Sequence, residues 1–384
     1  MYTNHNQWGS EPRYSALVDA KQYLNGETKA PDGGPGDNLS CELDKYGELK
    51  GLVAGTTSIQ GSASPPSNKK CYGSLARTID QTPNGLGSDT MQTATLFPDK
   101  TAADGVCDNF ADSKTTAYVI HDGEGVDATA LAEFAALGTV TTTAGCLLDP
   151  KTTIIHGAAF TDTEFATMGQ KGMSLVWSPR SNVFLYGGGT DLSKTANVPL
   201  ARSRGVNVAL GPDWSIGGSQ NILDELRFAQ QVDRAEWGGS LTTKDLVQMV
   251  TVNAAHALGL SDVIGSLAVG KKADIVVIAG DAAAPYDALV AATPATVSLV
   301  MVGGTVLYGD ASAVALGPAS PSCETIDVCC ASKFLCVAQT ATDDEFNETF
   351  AQIRDALEQG LEAYDAMNLS QWDFAPITPL VKCL

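Results

Sequence analysis

Three polar residues of the sequence each stand where an apolar stretch ends. His121 follows "AYVI", His156 follows "TTII" and Asp213 follows "VNVALGP". Glu124 comes three positions after His121. Proteins use imidazole and carboxylate side chains as acids, bases and metal ligands. If the apolar stretches are strands, the sequence places such side chains at strand ends, where they could meet.

The spacing of these residues fits a repeated strand–helix unit. His121 and His156 are 35 residues apart, and Asp213 lies 57 residues beyond His156, which is about one and two such units. Each residue falls at the C-terminal end of its predicted strand, and in a (β/α)8 barrel those ends form the mouth where active sites lie. We therefore expect the three side chains to converge within a few ångströms of one metal-sized point.

The middle of the chain alternates between predicted strands and predicted helices. The strands are "TAYVIH", "TTIIHGAAF", "MSLVWS" and "VNVALGPD", and the helices include "DATALAEFAALG", "TDTEFATMGQKG" and "NILDELRFAQQVDRA". Strands that are apolar along their whole length and alternate with helices are typical of a parallel sheet covered by helices. The sequence thus predicts an α/β protein with a TIM barrel.

Three regions are expected along the chain. Residues 1–258 would form the barrel, although residues 1–40 are polar and rich in glycine and proline, and residues 61–116 are predicted to be rich in loops. Residues 259–318 contain short strands with tight glycine turns and would form a small β-sandwich portion. Residues 319–384 would be a tail, with a cysteine-rich loop followed by the amphipathic helix "DDEFNETFAQIRDALEQGLEAYDAM".

The composition indicates a folded protein and narrows its partners. The chain has 384 residues, is 44% hydrophobic and 18% charged, and carries a net charge of −20. It can therefore bury a sizeable core, but its charge is unsuited to nucleic acid or to anionic membranes. No apolar run reaches the length of a transmembrane helix, and the polar start "MYTNHNQWGS" shows no signal peptide. The sequence favours a small-molecule partner, with neither nucleic acid nor membrane.

Nine cysteines are many for a cytosolic enzyme, and they contain no pair of CxxC motifs that would indicate a zinc ribbon. Their placement towards the two ends of the chain favours disulfides that hold peripheral loops, hence an extracytoplasmic, oxidising location. Reduced thiols in the cytoplasm are the alternative. We expect at least one pair among Cys323, Cys329, Cys330 and Cys336 to have Cα atoms within about 7 Å of each other.

Several of these segments, in this order, resemble the amidohydrolase superfamily, in particular its cytosine deaminase-like and chlorohydrolase-like branch. The segments are "HDGEG", "IIHGAAF", "SPRSNVFLYGGG", "VALGPDWSIGGSQNILDELRFA" and "TVNAAHALGLSDVIGSLAVGKKADIVVI". The resemblance covers roughly residues 40–310. It implies a TIM barrel and a metal-dependent hydrolase of a C–N bond in a small molecule, by deamination or by hydrolysis of an amide or cyclic amide.

The resemblance also implies roles for the residues at the strand ends. His121 would be a metal ligand, and Glu124 would shuttle protons beside it. His156 would bind a metal or polarise the substrate carbonyl, and Asp213 would bind the metal and take a proton from the attacking water. Zinc is the expected ion, with iron or manganese as alternatives, because imidazole and carboxylate ligands suit all three.

The sequence departs from the family pattern at its start. The family's metal site begins with His-x-His at the end of the first barrel strand, and no His-x-His occurs in this sequence. We expect a barrel without its first strand, in a chain truncated at the N-terminus, and His5 is the candidate to stand in at the site. Such a barrel should bind its metal weakly and could cover its open seam by forming a homo-oligomer. The alternative function is a non-catalytic relic or binding protein.

The contacts to substrate are less defined by the sequence. Arg180 and Asn182, in "SPRSN", are candidate substrate contacts, although this segment could equally be a plain turn. Trp214 is expected to line the pocket, and His5 could contact the substrate from the N-terminal segment. His256 lies in an alanine-rich stretch and is interpreted as structural. The identity of the substrate does not follow from these residues.

Overall fold

The computed structural model describes residues 1–8, 11–26, 38–61, 75–79, 86, 91–94, 97–214, 216–318, 323–338 and 347–383. The helices are α1 (His5–Trp8), α2 (Pro12–Leu24), α3 (Ser40–Leu52), α4 (Lys100–Ala111), α5 (Ala128–Leu137), α6 (Asp162–Lys171), α7 (Pro179–Tyr186), α8 (Val198–Ser203), α9 (Ile222–Glu236), α10 (Thr243–Met249), α11 (Val252–Ala257), α12 (Pro285–Val290) and α13 (Phe350–Ala366). The strands are β1 (Ser58–Ile59), β2 (Arg77–Thr78), β3 (Met91–Ala94), β4 (Ala117–Asp122), β5 (Thr152–His156), β6 (Ser174–Trp177), β7 (Asn207–Leu210), β8 (Ile275–Ile278), β9 (Val297–Val302), β10 (Thr305–Asp310), β11 (Cys323–Val328) and β12 (Ala331–Cys336).

A parallel five-stranded sheet carries the strand ends of interest. Its order is β3-β4-β5-β6-β7, so neighbours in the sheet are also neighbours in the sequence. All four pairings are parallel, and a helix lies between successive strands from β4 to β7. Strands β4 to β7 are almost wholly buried, because both faces of such a sheet are covered. The predicted strands "TAYVIH", "TTIIHGAAF", "MSLVWS" and "VNVALGPD" are confirmed.

The helices that follow these strands begin and end where the sequence places capping residues. The side chain of Asp127 accepts hydrogen bonds from the backbone N–H groups of Thr129 and Ala130 at the start of α5. Thr161 and Glu164 form a capping box at the start of α6, and Gly172 ends this helix in the left-handed conformation with φ 71°. These caps satisfy backbone groups that the helix itself leaves unpaired.

The structure contains helices in two segments for which the sequence did not predict one. The region expected to be rich in loops contains α4, which forms because Asp99 caps it by accepting from the N–H of Ala102 and because Ala103 and Val106 are buried. The segment "SPRSN" is the first part of the short helix α7 instead of a plain turn. Pro179 stands at its first position, where the fixed φ of proline suits a helix and its missing N–H is not needed.

The second sheet is antiparallel and contains strands from the predicted tail. Its order is β11-β12-β10-β9-β8, and every pairing is antiparallel. The buried residues Val306, Phe334 and Cys336 form a small core on this sheet. The tail thus extends the sheet of residues 275–310 by two strands before α13 begins.

The chain forms two compact units. The first contains Met1–Trp8, Thr90–Lys271 and Ala282–Ala291, and therefore holds the whole parallel sheet. The second contains Gly9–Asp89, Lys272–Asp281 and Ala292–Leu384, and holds the antiparallel sheet with α2, α3 and α13. In the part of the chain that the structure describes, no helix combines the length and the apolar character needed to cross a membrane.

Three disulfides join described cysteines. Cys107 pairs with Cys146 in the first unit, and Cys323 pairs with Cys336 and Cys329 with Cys383 in the second. The Cα atoms of Cys323 and Cys336 are 4.0 Å apart, which confirms the expected cross-link in the tail. Cys41 is also disulfide-bonded, Cys71 lies outside the described residues, and Cys330 is an exposed free thiol.

Replacing Cys107 and Cys146 together by serine is expected to lower the free energy of unfolding by about 2 to 4 kcal/mol. The two cysteines are 39 positions apart, so the cross-link restricts a long loop in the unfolded chain. The measurement is denaturant unfolding followed by circular dichroism. Cys330→Ser, which removes only the free thiol, is the matched control and should change the free energy by less than about 0.5 kcal/mol. Equal stability of the double variant and the control would contradict the prediction.

Candidate metal and proton-transfer site

The carboxyl edge of the parallel sheet brings the predicted site residues together. His121 is the fifth residue of β4, His156 is the last residue of β5, and Asp213 follows β7 by three residues. In the sheet register Asp122 pairs with His156, so the ends of β4 and β5 are level. The strand spacing therefore places these side chains at one edge, as the sequence predicts.

His121, His156 and Asp213 form a cluster that could hold a metal ion. One ligand atom from each residue lies within 4.8 Å of the others, and the two imidazole rings are 5.1 Å apart. His121 is half-buried, His156 is buried and Asp213 is exposed. The predicted convergence is present, and two imidazoles with one carboxylate are a donor set that suits zinc. The role of each residue as a ligand stays a prediction.

The chemistry of His121 fits a ligand. Its Nδ1 lies 3.3 Å from the backbone oxygen of Ala94, which leaves Nε2 for another partner. Burial lowers the pKa of His121, and the neighbouring His156 lowers it further. A neutral imidazole keeps the lone pair with which it binds a metal, and a carbonyl on the other nitrogen is the usual second partner of such a ligand.

Two of the three residues have backbone conformations that are uncommon outside glycine. His156 has φ 78° and Asp213 has φ 61°. The left-handed region costs about 1 to 3 kcal/mol for residues with a side chain, and such residues cluster at functional sites. The hydroxyl of Ser181, from α7, donates to Oδ2 of Asp213 and helps to orient the carboxylate. Both residues with this backbone conformation lie at the carboxyl edge of the parallel sheet.

Glu124 lies beside the cluster and is buried. Its Oε1 accepts a hydrogen bond from the hydroxyl of Tyr186 at 2.9 Å. Its Oε2 lies 3.4 Å from Nδ1 of His5 and 3.7 Å from Nε2 of His156. Burial by itself would raise the pKa of Glu124, but His156, the hydrogen bond from His5, His121 and the hydroxyl of Tyr186 outweigh it and bring the pKa to about 2. Glu124 is therefore a carboxylate at neutral pH.

A buried chain of hydrogen bonds determines which ring nitrogen of His156 carries the proton. Trp177 Nε1, which can only donate, donates to Thr195 Oγ1 at 2.8 Å, and the Thr195 hydroxyl donates to Asn182 Oδ1 at 3.1 Å. The Nδ2 group of Asn182 then faces His156 Nδ1 at 3.0 Å. Because Nδ2 is a donor, His156 Nδ1 accepts, and a neutral ring carries its proton on Nε2. The hydrogen-bond network assigns this tautomer, which points an N–H group towards Glu124.

The candidate substrate contacts have protein partners of their own. Arg180 donates from Nε to Ser219 Oγ at 2.7 Å, and its guanidinium lies 4.3 Å from the ring centre of Phe228. Asn182 is fully buried, with both ends of its amide bonded as described above. Trp214 is half-buried next to Asp213. Substrate contact by Arg180, Asn182 or Trp214 stays a prediction.

His5 is brought to the site, but as a partner of carboxylates. Its Nε2 lies 2.8 Å from Glu133, and its Nδ1 faces Glu124. Both ring nitrogens are therefore engaged, and His5 is not one of the three clustered ligands. The expectation that His5 stands in for a missing metal ligand finds no support in this geometry.

Sequence reasoning did not single out Glu133 or Asp122. Glu133 is the one charged residue of α5, which is a signal that could have marked it. Asp122 is fully buried, and neither of its carboxyl oxygens has a hydrogen-bond partner among the residues described. Burial raises the pKa of Asp122 well above its usual value, and Glu133 raises it further while His5 opposes them.

The site and the sheet agree with a known family. Residues 106–307, more than half of the chain, match the family model described as the amidohydrolase family. The chain belongs to the amidohydrolase family. This range contains every strand of the parallel sheet from β4 onwards, together with Glu124 and the three clustered residues. The consecutive parallel strands of this amidohydrolase are part of the TIM-barrel arrangement of its relatives.

Similar proteins include several deaminases. A 5-methylthioadenosine/S-adenosylhomocysteine deaminase of Syntrophobacter fumaroxidans is 31% identical over 139 residues, which are 34% of this chain and 30% of that protein. The mouse guanine deaminase is 31% identical over 137 residues, which are 34% of this chain and 29% of the relative. The amidohydrolase described here therefore matches about a third of the length of these relatives.

A solved structure resembles more of the chain. An adenosine deaminase from Xanthomonas campestris with bound zinc aligns with a TM-score of 0.58 at 16% identity, covering 93% of this chain and 80% of that one. Atrazine chlorohydrolase from Arthrobacter aurescens, complexed with zinc, aligns with a TM-score of 0.57 at 17% identity, covering 78% and 77%. At these identities the likeness shows that the amidohydrolase shares their fold.

Proposed function

We propose that this amidohydrolase hydrolyses a C–N bond of a small molecule with the help of a divalent metal ion, and that the reaction is a deamination. The observation that carries the proposal is the buried carboxylate of Glu124 beside the cluster of His121, His156 and Asp213. Hydrolysis of a C–N bond needs an activated water and a group that carries a proton to a poor nitrogen leaving group. The cluster and Glu124 have the residue types for these two tasks.

His121 and Asp213 are the residues that would hold the ion. Bound there, zinc, or alternatively iron or manganese, would make hydroxide available near neutral pH. Asp213 is held by the hydroxyl of Ser181, and His121 by the carbonyl of Ala94. Both side chains are therefore oriented before any ion binds, which reduces the ordering needed at the site.

Glu124 would move the proton. It is ionised at neutral pH and can accept a proton from the attacking water. Tyr186 holds Oε1 at 2.9 Å, and burial raises the pKa of Tyr186 far above its usual value, so that this phenol stays a donor. Oε2 lies on the side of His156 and can deliver the proton to the leaving nitrogen.

His156 would act as a hydrogen-bond donor through Nε2–H, which is one of the two roles that the resemblance implies. We expect His156→Ala to lower kcat by about 100-fold or more and to leave the metal content within about twofold of the parent chain. The measurement is elemental analysis after dialysis, with His121→Ala as the comparison that loses the ion. Loss of metal from His156→Ala would instead make His156 a ligand.

The substrate class is proposed from the relatives and from the charge. The similar proteins are named as deaminases of methylthioadenosine, S-adenosylhomocysteine, guanine and adenosine. A net charge of −20 is compatible with neutral nucleosides and nucleobases and unfavourable for phosphorylated ones. We therefore propose an amino group on a nitrogen heterocycle as the bond that is cleaved.

The proposed activity is tested by ammonia release from these four compounds after the chain is loaded with zinc, manganese or iron. Turnover that disappears on dialysis against a chelator and returns with metal supports it. The second candidate, a binding protein without catalysis, is favoured by the lack of a His-x-His motif in the sequence. Stoichiometric binding of one of these compounds without ammonia release would support that candidate.

The disulfides are relevant to the cellular compartment in which the protein works. Bonds such as Cys107–Cys146 and Cys329–Cys383 persist in oxidising surroundings. We propose that the chain works outside the cytoplasm. The test is a count of free thiols. The protein is isolated from its natural compartment and unfolded without reductant before the count. A fully reduced set of cysteines would contradict this location.

A further inference from the structure

His5 lies in an unusual position between two acidic side chains. Its Nε2 is 2.8 Å from Oε1 of Glu133, and its Nδ1 is 3.4 Å from Oε2 of Glu124. The side chain of His5 is 4% exposed and that of Glu124 is 3% exposed, so water contributes little to either. The imidazole is thus the bridge between the carboxylate beside the metal cluster and a carboxylate on α5.

Both ring nitrogens of His5 must be donors in this arrangement. An ionised carboxylate has only acceptor oxygens, and a neutral imidazole has one donor and one acceptor nitrogen. With carboxylate oxygens facing both nitrogens, a neutral ring would leave one of them without a compatible partner. Two ionised carboxylates at these distances favour the imidazolium form, and the hydrogen bonds to Glu124 and Glu133 raise the pKa of His5 to about 10.

The backbone around His5 fixes the ring in place. The N–H of His5 donates to the carbonyl of Glu124 at 2.9 Å, and the N–H of Val126 donates to the carbonyl of Thr3 at 2.7 Å. A Cβ on Gly125, whose φ is 157°, would lie 2.5 Å from the oxygen of Thr3. Only glycine allows this close approach, so the sequence after Glu124 is shaped to receive the segment that carries His5.

Glu133 is held independently of His5. Its Oε2 accepts a hydrogen bond from the N–H of Gly123 at 3.0 Å, which leaves Oε1 to face His5. Helix α5 carries Glu133, and Asp127 caps the first turn of this helix and also accepts a hydrogen bond from Asn4 at 2.7 Å. Helix α5 and its capping residue therefore hold both Glu133 and the segment that carries His5.

We propose that His5 is a positioning residue, an imidazolium that Glu133 holds in place so that Glu124 keeps the orientation needed for proton transfer. The inference rests on the proposed function of Glu124. Without the cation, two carboxylates would face each other in a nearly dry pocket, where like charges repel strongly. Glu124 would keep its hydrogen bond from Tyr186 but would be free to turn Oε2 away from His156.

The kinetic test uses the whole chain loaded with zinc and ammonia release from whichever of methylthioadenosine, S-adenosylhomocysteine, adenosine or guanine it turns over. We expect His5→Gln to lower kcat by about 10- to 100-fold, a part of the usual contribution of general acid–base catalysis, with KM changed by less than about threefold. The metal content should not change. His256→Gln is the matched control, because it removes an exposed histidine of α11 far along the chain.

A double-mutant cycle separates positioning from loss of structure. If His5 acts through the bridge, Glu133→Gln alone should lower kcat, and the double variant His5→Gln/Glu133→Gln should be no slower than His5→Gln, because the two residues act as one unit. The proposal would be overturned if the losses of kcat in the two single variants multiply in the double variant. It would also be overturned if each loss of kcat is accompanied by a fall in melting temperature that explains it.

A second readout needs no substrate. In a chain with ¹⁵N-labelled histidine, one of the four rings should keep imidazolium shifts at pH 8, and this signal should vanish in His5→Gln. A neutral His5 at pH 8 would overturn the proposal even if the chain is an active deaminase. An imidazolium at His5 in a chain without any turnover would sustain the bridge while the proposed function failed.

Discussion

Replacing Glu124 by glutamine is expected to lower kcat for C–N hydrolysis by about 10²- to 10⁴-fold, the range that a general acid–base group contributes. Glutamine has nearly the same shape and can still accept from Tyr186, but it cannot take up and release the proton. The proposed metal ligands are other residues, so the metal content should not change. The loss should therefore be confined to the chemical step.

The measurement for Glu124→Gln is steady-state ammonia release together with elemental analysis of the same sample. Glu236→Gln is the matched control, because Glu236 is an exposed residue at the end of α9 and the same chemical change is made there. A Glu124→Gln variant that keeps a third or more of the parent kcat would mean that another group carries the proton.

Asp213→Asn and His121→Ala are each expected to weaken metal binding by more than about 100-fold, since even the residues behind metal ligands typically contribute 10- to 100-fold. Loss of the ion should also abolish hydrolysis. The sequence led us to expect weak metal binding in the parent chain. The affinity for the ion should therefore be measured by competition with a chelator, in addition to the metal content after dialysis.

The control for the metal experiment makes the same change of charge as Asp213→Asn, but away from the cluster. Asp262→Asn alters an exposed aspartate of the same unit and should leave the affinity unchanged. If both Asp213→Asn and His121→Ala bind the ion as tightly as the parent chain, the cluster is not the metal site. If the parent chain keeps one ion through dialysis, further groups of the protein must bind the ion besides His121 and Asp213.

The sequence predicted the parts of the site that follow from strand periodicity. His121 and His156 lie at the carboxyl ends of neighbouring parallel strands, and Asp213 follows a third strand, so their meeting is a consequence of register in a parallel sheet. The caps of α5 and α6 were likewise readable, because Asp127, Thr161 and Gly172 act on residues within a few positions. Local rules of this kind need no knowledge of tertiary packing.

The parts that could not be predicted depend on contacts between distant residues. His5 meets Glu124 and Glu133 across more than a hundred positions, and no periodicity relates the N-terminal segment to α5. The tautomer of His156 depends on Trp177 and Thr195, which touch it only through Asn182. The resemblance supplied the types of the ligands, but it could not show which donor faces which acceptor.

The left-handed backbone at His156 and Asp213 means that, at these two positions, what suits folding and what suits chemistry are different residues. Glycine adopts such a conformation without strain. A histidine and an aspartate at these positions therefore carry a conformational cost that glycine would avoid, as residues at functional sites often do. Replacing either residue by glycine should relax the backbone and at the same time remove its side chain from the cluster.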